Sequence, residues 1–191
     1  MRIDAIEFQL GSRNENLADL SSDNPDWQTD RLFAKTGVMQ RHLLGPEETP
    51  LTLAQTACDR LLERTGRKKV GGPIYVTQSP ESTIPATACL LHEWLGLPEA
   101  CLAFDLNQGC SGFVYGLSLA SSLISSQAFD ACLVVCAEAY SKYISPHDRT
   151  CRPIFSDGAS AALVVSDGVG EIGPFVFATD GSGAPNLTLT E

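Results

Sequence analysis

The apolar positions of this chain fall into short blocks whose spacing switches between a period of two and one of about 3.6, the repeats that distinguish strands from helices. Residues 3–10 carry Ile3, Ala5, Ile6, Phe8 and Leu10 in near alternation, which predicts a strand. Residues 52–65 place Leu53, Ala54, Ala57, Cys58, Leu61 and Leu62 on one helical face, with Gly66 just past the end. Residues 73–77 form a short buried strand. Pro85 suits a first helical position, and Ala86, Leu90, Leu91, Trp94 and Leu95 make a stripe that stops at Gly96. Residues 102–106 read as a strand that feeds, through a glycine turn, a helix marked by Phe113, Val114, Leu117, Ala120 and Ile124. Gly116, Ser118, Ser121 and Ser122 fill the rest of that helix, which predicts close packing all round. Residues 133–137 are apolar at consecutive positions, as in a strand covered on both faces. Residues 155–165 read as a turn leading into another buried strand, and 175–179 as one more. Strands separated by helices in this order predict an α/β fold, with a mostly parallel sheet and helices on both faces. In such sheets the binding crevice opens at the carboxyl ends of the strands.

Composition narrows the function classes. A chain of 191 residues, 43% hydrophobic, suits one large or two small globular domains. No apolar stretch is long enough to span a bilayer, and the opening MRIDAIEFQL lacks the basic and apolar regions of a signal peptide, so a cytoplasmic protein without a membrane partner is expected. The seven cysteines have no framework spacing and no Cys-x-x-Cys pair. Six of them (Cys58, Cys89, Cys101, Cys110, Cys132, Cys136) lie in apolar surroundings, as reduced cysteines do, and Cys132 and Cys136 would share one face of a strand. With only three histidines besides, no metal site is expected. The formal net charge of −10 argues against a nucleic-acid partner. The cations are uneven nonetheless. Arg60, Arg64, Arg67, Lys68 and Lys69 read as a solvated helix end, whereas Arg31, Lys35 and Arg41 form a group that can face an anionic ligand.

The sharpest chemical signal is Cys110, in Phe104-Asp105-Leu106-Asn107-Gln108-Gly109-Cys110-Ser111-Gly112-Phe113. A strand running through a glycine turn into a helix puts this thiol at a helix N-terminus. Unpaired backbone N–H groups and the positive end of the helix dipole favour negative charge there, which suits a nucleophilic thiolate. Gly109 and Gly112 leave room for a ligand or another chain to approach the backbone, as in the elbow that exposes a hydrolase serine.

The turn NQGCSGFVYGLSLA, the later Ser145-Pro146-His147-Asp148-Arg149-Thr150 and the run IFSDGASAALV together resemble the N-terminal half of a beta-ketoacyl-acyl carrier protein synthase III, in the thiolase superfamily. Lys35-Thr36-Gly37-Val38-Met39-Gln40-Arg41-His42 and Thr83-Ile84-Pro85-Ala86 extend the resemblance upstream to nearly the whole chain. It implies a layered αβαβα fold built from two similar halves, of which residues 1–191 are the first. It also implies the chemistry. Cys110 takes an acyl group from acyl-CoA, and malonyl-acyl carrier protein then loses carbon dioxide and condenses with it. The family's enolate-stabilising histidine and asparagine belong to the second half, and none of His42, His92 and His147 stands at the catalytic position. An incomplete chain, a split enzyme and a half kept only for binding all remain open on this reading, as does acyl transfer to an alcohol or amine in place of condensation.

The resemblance carries binding residues as well. Arg149 matches an arginine that contacts the nucleotide part of CoA, a task suited to a guanidinium that grips phosphate and stacks on adenine. Lys35 stands where a second CoA-contacting cation is common, and Trp27 or Arg31 aligns with a tryptophan that stacks on adenine. Ile84 matches a phenylalanine that reaches into the partner subunit's acyl pocket, so its smaller side chain implies a primer bulkier than acetyl. Ser156 replaces the first glycine of Gly-Asp-Gly-Ala. The implied partners are acyl-CoA, acyl carrier protein and a second copy of the chain, with the carrier protein meeting Arg31, Lys35 and Arg41 or the cluster from Arg64 to Lys69.

Overall fold

The computed structural model describes residues 1–66 and 70–189, so Arg67, Lys68 and Lys69 of the second basic group lie outside the described residues. The larger sheet has five strands: β1 (Arg2–Leu10), β4 (Pro73–Val76), β5 (Phe104–Leu106), β6 (Ala131–Glu138) and β7 (Gly158–Val165), in the order β1-β7-β6-β4-β5. The smaller sheet pairs β2 (Arg13–Asn16) with β3 (Gln40–Leu43), antiparallel.

The expected mostly parallel sheet is instead mixed. β4 pairs in parallel with both β5 and β6, whereas β7 runs antiparallel to β6 and β1 antiparallel to β7. The cause lies in the connections. Helices α4 (Thr87–Trp94) and α5 (Gly112–Ser125) carry the chain back across the sheet between β4, β5 and β6. Between β6 and β7 there is only a loop with one short 3-10 turn, Tyr140–Lys142, so the chain returns in the opposite direction.

Helices do lie on both faces. The long helix α3 (Pro50–Thr65) buries Leu53, Ala54, Ala57, Cys58 and Leu61, and with Ala88 and Leu91 of α4 it packs on Leu133, Val135 and Ala137 of β6 and on Ala161, Leu163 and Val165 of β7. The alternate residues Cys132 and Val134, with Ile74, Val76 and Val164, turn to the other face and meet Ala120 and Ile124 of α5. Cys132 and Cys136 thus share a face, as their spacing required.

Local chemistry explains the helix limits. α3 begins two residues before the expected start, because Thr49 and Thr52 form a reciprocal capping box and Pro50 takes the first helical position; Gly66 ends it in the left-handed conformation. α4 begins at Thr87, later than Pro85 implied. Its N-cap residue, Ala86, has no capping side chain, and the exposed donors are met from β5 by the Asp105 carboxylate, which accepts the N–H groups of Thr87 and Ala88 at 2.7 Å each.

Two further expectations are corrected. α5 is not packed all round: Val114 and Leu119 face outward, 47% and 37% exposed. Among its small residues Gly116 is needed for a close contact with the sheet, since a Cβ there would sit 2.7 Å from Val134 Cγ1, while Ser122 is exposed. Residues 175–179 form no strand. They lie along α5, where Phe177 meets Tyr115 with ring centroids 5.0 Å apart and stacks with Phe175.

Candidate functional site

The three parallel strands end side by side, and each delivers a polar side chain to the same crevice. β5 ends at Leu106 and leads to Asn107 and Cys110; β4 leads to Gln78; β6 ends at Glu138 and leads to Tyr140. Cys110 occupies the position just before Ser111, the N-cap residue of α5, and is exposed. The turn closes through a 2.8 Å hydrogen bond from the Gly112 N–H to the Gly109 carbonyl. Ser111 makes no side-chain cap, so the positive end of α5 keeps uncapped donors beside the thiol. Gly112 lets the helix begin close against β4, because a Cβ there would stand 2.3 Å from Val76 Cγ1.

A hydrogen-bonded chain crosses the crevice next to this turn. The Gln78 N–H donates to Glu138 Oε1 at 2.7 Å, the Gln78 amide donates to Asn107 Oδ1 at 3.4 Å, and the Tyr140 hydroxyl donates to Gln78 Oε1. The Gly109 backbone lies against the same amide: an added Cβ would be 2.7 Å from Gln78 Oε1. The Tyr140 ring stacks on Phe155, with centroids 5.4 Å apart. Burial pushes the Tyr140 hydroxyl above the usual phenol range, and neighbouring Glu138 and Cys110 add to it. Burial also raises the Glu138 carboxyl, against the lowering effect of hydrogen bonds from Ser79 and the Gln78 N–H. Gln78, Glu138 and Tyr140 were not found from the sequence. The available signal was positional: each stands within two residues of the carboxyl end of a buried parallel strand.

The cations divide by environment. Arg149 is exposed in the loop after the 3-10 turn. Its neighbour Asp148 accepts the N–H groups of Thr150 and Cys151 at 2.8 and 3.0 Å, and no ion pair between Asp148 and Arg149 is formed among the described residues. Arg31 and Lys35 are exposed one helical turn apart on α2 (Thr29–Thr36), and Trp27 is half-buried two residues before that helix. The segment holding Trp27 joins the Arg149 loop through Asn24, whose side chain meets the Pro146 carbonyl at 3.5 Å and the His147 ring at 3.1 Å. Arg41, grouped with Arg31 and Lys35 in the sequence, does not face a ligand. It is buried, directly opposite Glu15 in the β2–β3 pair, and bound to it at 2.5 Å.

Elsewhere the motif residues have local work. Asp157, fully buried, accepts the N–H groups of Leu44 and Ser141, both at 3.0 Å, and so ties the start of β7 to the 3-10 turn. Ser156 accepts the His42 N–H at 3.1 Å, which gives the serine in place of glycine a defined partner. The three histidines are engaged locally, with Gly11, Pro98 and Asn24 respectively. Ile84 projects from the loop before α4 and is 86% exposed. Among the described residues no helix is long and apolar enough to cross a membrane.

Known proteins place this arrangement in context. The family model described as 3-Oxoacyl-[acyl-carrier-protein (ACP)] synthase III matches residues 104–181, the span that includes Cys110 and Arg149. A beta-ketoacyl-[acyl-carrier-protein] synthase III of Streptomyces coelicolor is 37% identical over 161 residues, 83% of this chain and 48% of the relative. That of Citrobacter koseri is 34% identical over 179 residues, 92% of this chain and 55% of the relative. A crystal structure of a 3-oxoacyl-(acyl-carrier-protein) synthase III superposes with a TM-score of 0.90 at 41% identity, covering 96% of this chain and 56% of that one. The priming beta-ketosynthase of the R1128 polyketide pathway superposes equally well, TM-score 0.90 at 27% identity, over 96% of this chain and 55% of that one. The chain spans about half the length of the curated relatives it matches.

Proposed function

We propose that this chain, whose sequence and thiolase-like fold are those of the beta-ketoacyl-[acyl-carrier-protein] synthase III family over about half that family's length, carries the acyl-loading site of such an enzyme. Cys110 is the nucleophile. Its thiolate adds to the thioester carbonyl of an acyl-CoA, the resulting oxyanion collapses, and CoA leaves as a thiolate while the acyl group stays on Cys110 Sγ. The uncapped N-terminal turn of α5 supports this assignment, since its N–H groups, that of Cys110 among the candidates, can meet the oxyanion. In the complete reaction malonyl-acyl carrier protein loses carbon dioxide, its enolate carbon attacks the Cys110 thioester, and a 3-oxoacyl carrier protein departs as the thiolate is restored. The residues that steady the enolate belong to the family's other half, so residues 1–191 account for the first half-reaction.

The observation that carries this reading is the exposed Cys110 at the mouth of α5, where β4, β5 and β6 end together. Arg149, Lys35, Arg31 and Trp27 are its CoA-facing residues: all but half-buried Trp27 are exposed, and the Trp27 segment is bonded to the Arg149 loop. Arg31 and Lys35 also offer the local positive charge that an acidic carrier protein needs on a chain of net charge −10. β5 is an edge strand, which suits sheet pairing in a homodimer, and exposed Ile84 suits a reach into a partner's acyl pocket. Seven unpaired cysteines accord with a cytoplasmic setting.

The test is an intact-mass spectrum of the natively purified protein before and after incubation with a panel of acyl-CoAs. One acyl group per chain is expected, absent in Cys110→Ala. Acylation that persists in that variant, or a folded wild-type protein that takes no acyl group from any donor, would overturn the proposal.

A further inference from the structure

We propose that Arg152 and Glu15 are positioning residues for the nucleotide end of acyl-CoA, acting as a buried brace that fixes the Arg149 loop against the segment bearing Trp27. The inference rests on the reading that Arg149 and Trp27 meet that nucleotide, and it adds how they are held.

Four charged groups from four separate segments converge. Glu15 comes from β2, Asp23 from the end of α1 (Leu17–Asp23), Arg41 from β3 and Arg152 from the loop before β7. Glu15, Arg41 and Arg152 are 7%, 5% and 5% exposed. Arg41 approaches one carboxylate oxygen of Glu15 at 2.5 Å, Arg152 Nη2 donates to the other at 2.7 Å, and the same Nη2 reaches Asp23 Oδ2 at 2.5 Å. Two acids thus balance two arginines. Although burial raises the Glu15 carboxyl, the hydrogen bonds from Arg152 and Arg41 outweigh it and hold that carboxyl below its usual range.

Such a network is a poor way to gain stability, because desolvating the ions costs about what their attraction returns and an apolar cluster of similar volume does as well. What it supplies is geometry. Arg152 Nη1 donates to the Pro146 carbonyl at 2.7 Å, which ties together the two ends of residues 146–152 with Arg149 between them. Asp148 caps the same loop from inside. On the far side Asp23 is followed by Asn24, which meets Pro146 and His147 and accepts the Trp27 N–H at 2.9 Å. One guanidinium therefore sets the spacing between the Arg149 loop and the Trp27 segment, while Arg149, with no ion pair or hydrogen bond of its side chain among the described residues, is left for a ligand. Arg41 extends the brace toward Cys110: its Nη1 donates to the Phe155 carbonyl at 3.2 Å, and the Phe155 ring supports Tyr140.

The test compares two acyl donors in the full-length protein as it occurs natively: an acyl-CoA and the matching acyl-pantetheine thioester, which lacks the nucleotide. Arg149→Ala provides the reference. Arg152→Met is expected to raise KM for acyl-CoA about tenfold, with kcat and the acyl-pantetheine kinetics within about twofold of wild type. Arg152→Lys, which keeps the charge without the fork, is expected to recover part of that loss. Should Arg152→Met not fold, Asp23→Asn removes only the more exposed arm of the brace and decides the same comparison. Equal losses with both donors, or an unchanged KM for acyl-CoA in a folded variant, would overturn the inference. An unchanged KM in Arg149→Ala would instead remove the nucleotide reading, and the inference with it.

Discussion

Asp105 and Thr87 join the strand that feeds the Cys110 turn to the helix beside it: the carboxylate accepts the Thr87 N–H at 2.7 Å and, through its other oxygen, the Ala88 N–H at the same distance. The acid acts as a capping side chain borrowed from across the sheet, five residues before Cys110 in sequence. Charge-assisted caps of this kind stabilise by about 1–2 kcal/mol. Asp105→Ala is therefore expected to lower the unfolding free energy by about that amount in urea titrations. Asp105→Asn, which retains one acceptor, is expected to lose less. Equal losses in the two variants would mean that the paired geometry contributes nothing.

The junction at Gly112 sets two effects against each other. Alanine at a helical position gains about 1 kcal/mol over glycine. Here, however, the new Cβ would stand 2.3 Å from Val76 Cγ1, and forcing extra volume into a packed contact costs about 1–3 kcal/mol. Overpacking outweighs propensity. Gly112→Ala is expected to lower the melting temperature and, by displacing the first turn of α5 from β4, to slow acylation of Cys110 more than a surface control of equal stability does.

Glu138 gives a pH dependence whose sign can be fixed in advance. Its carboxyl is raised by burial above the ordinary 4.5, so the buried acid favours its neutral form more than the unfolded chain does. Its stabilising contribution is complete below pH 4.5 and fades as pH rises through the raised value. Glu15 and Glu48, held below 4.5, act oppositely: their contributions are present above that value and are lost as pH falls through their lowered ones. Thermal unfolding of wild type and Glu138→Gln from pH 4 to 8 is expected to show the wild type losing ground to the variant as pH increases above 4.5. A difference that does not change with pH would show that Glu138 titrates as in the unfolded chain.

Much of this arrangement was legible beforehand because it is local. The step from an apolar strand through Gly109 to a helix identified the Cys110 junction, and the spacing of Cys132 and Cys136 identified a strand face. What the sequence withheld depends on contacts between distant segments. The hydropathy of β7 is that of a buried strand in either direction, and its antiparallel sense follows from the absence of a helix after β6. Arg41 reads as one of three nearby cations, yet its register opposite Glu15 and the approach of Arg152 from far along the chain turn it inward. Phe175 and Phe177 alternate like strand residues, and their ring contacts with each other and with Tyr115 hold them along α5. No single-segment period records such pairings.

The uncovered side of the sheet has its own consequence. Ile6, Phe8 and Leu10 of β1 stand opposite Ala162, Ser160 and Gly158 of β7 on the face that α5 occupies farther along, and they are 47%, 60% and 39% exposed. Val114 and Leu119 on the outer side of α5 add to the apolar surface. Clustered exposure of this kind favours association. Residues 1–191 produced alone are expected to bind a hydrophobic dye and to sediment as oligomers at micromolar concentration, and Phe8→Lys is expected to diminish both. A monomeric, dye-silent chain would mean that this face is covered from within.

Ile84 carries the prediction about substrate size. Its side chain is 86% exposed on the loop before α4, and under the proposed dimer it would reach the acyl pocket of the other copy. The benzyl side chain of phenylalanine has about three more carbons than the sec-butyl group of isoleucine, and each methylene in an apolar pocket changes discrimination by roughly 1–3 kcal/mol, or about ten- to 200-fold. Ile84→Phe is therefore expected to reduce kcat/KM for branched or longer acyl-CoAs by at least about tenfold while leaving acetyl-CoA within about threefold. Because Ile84 is exposed within its own chain, the substitution should leave the melting temperature of the dissociated protein unchanged, so a loss confined to bulky donors reports the pocket and not the fold. A uniform loss across all chain lengths would place Ile84 away from the acyl group and return the question of primer size to Tyr140 and Gln78, the side chains beside the Cys110 turn.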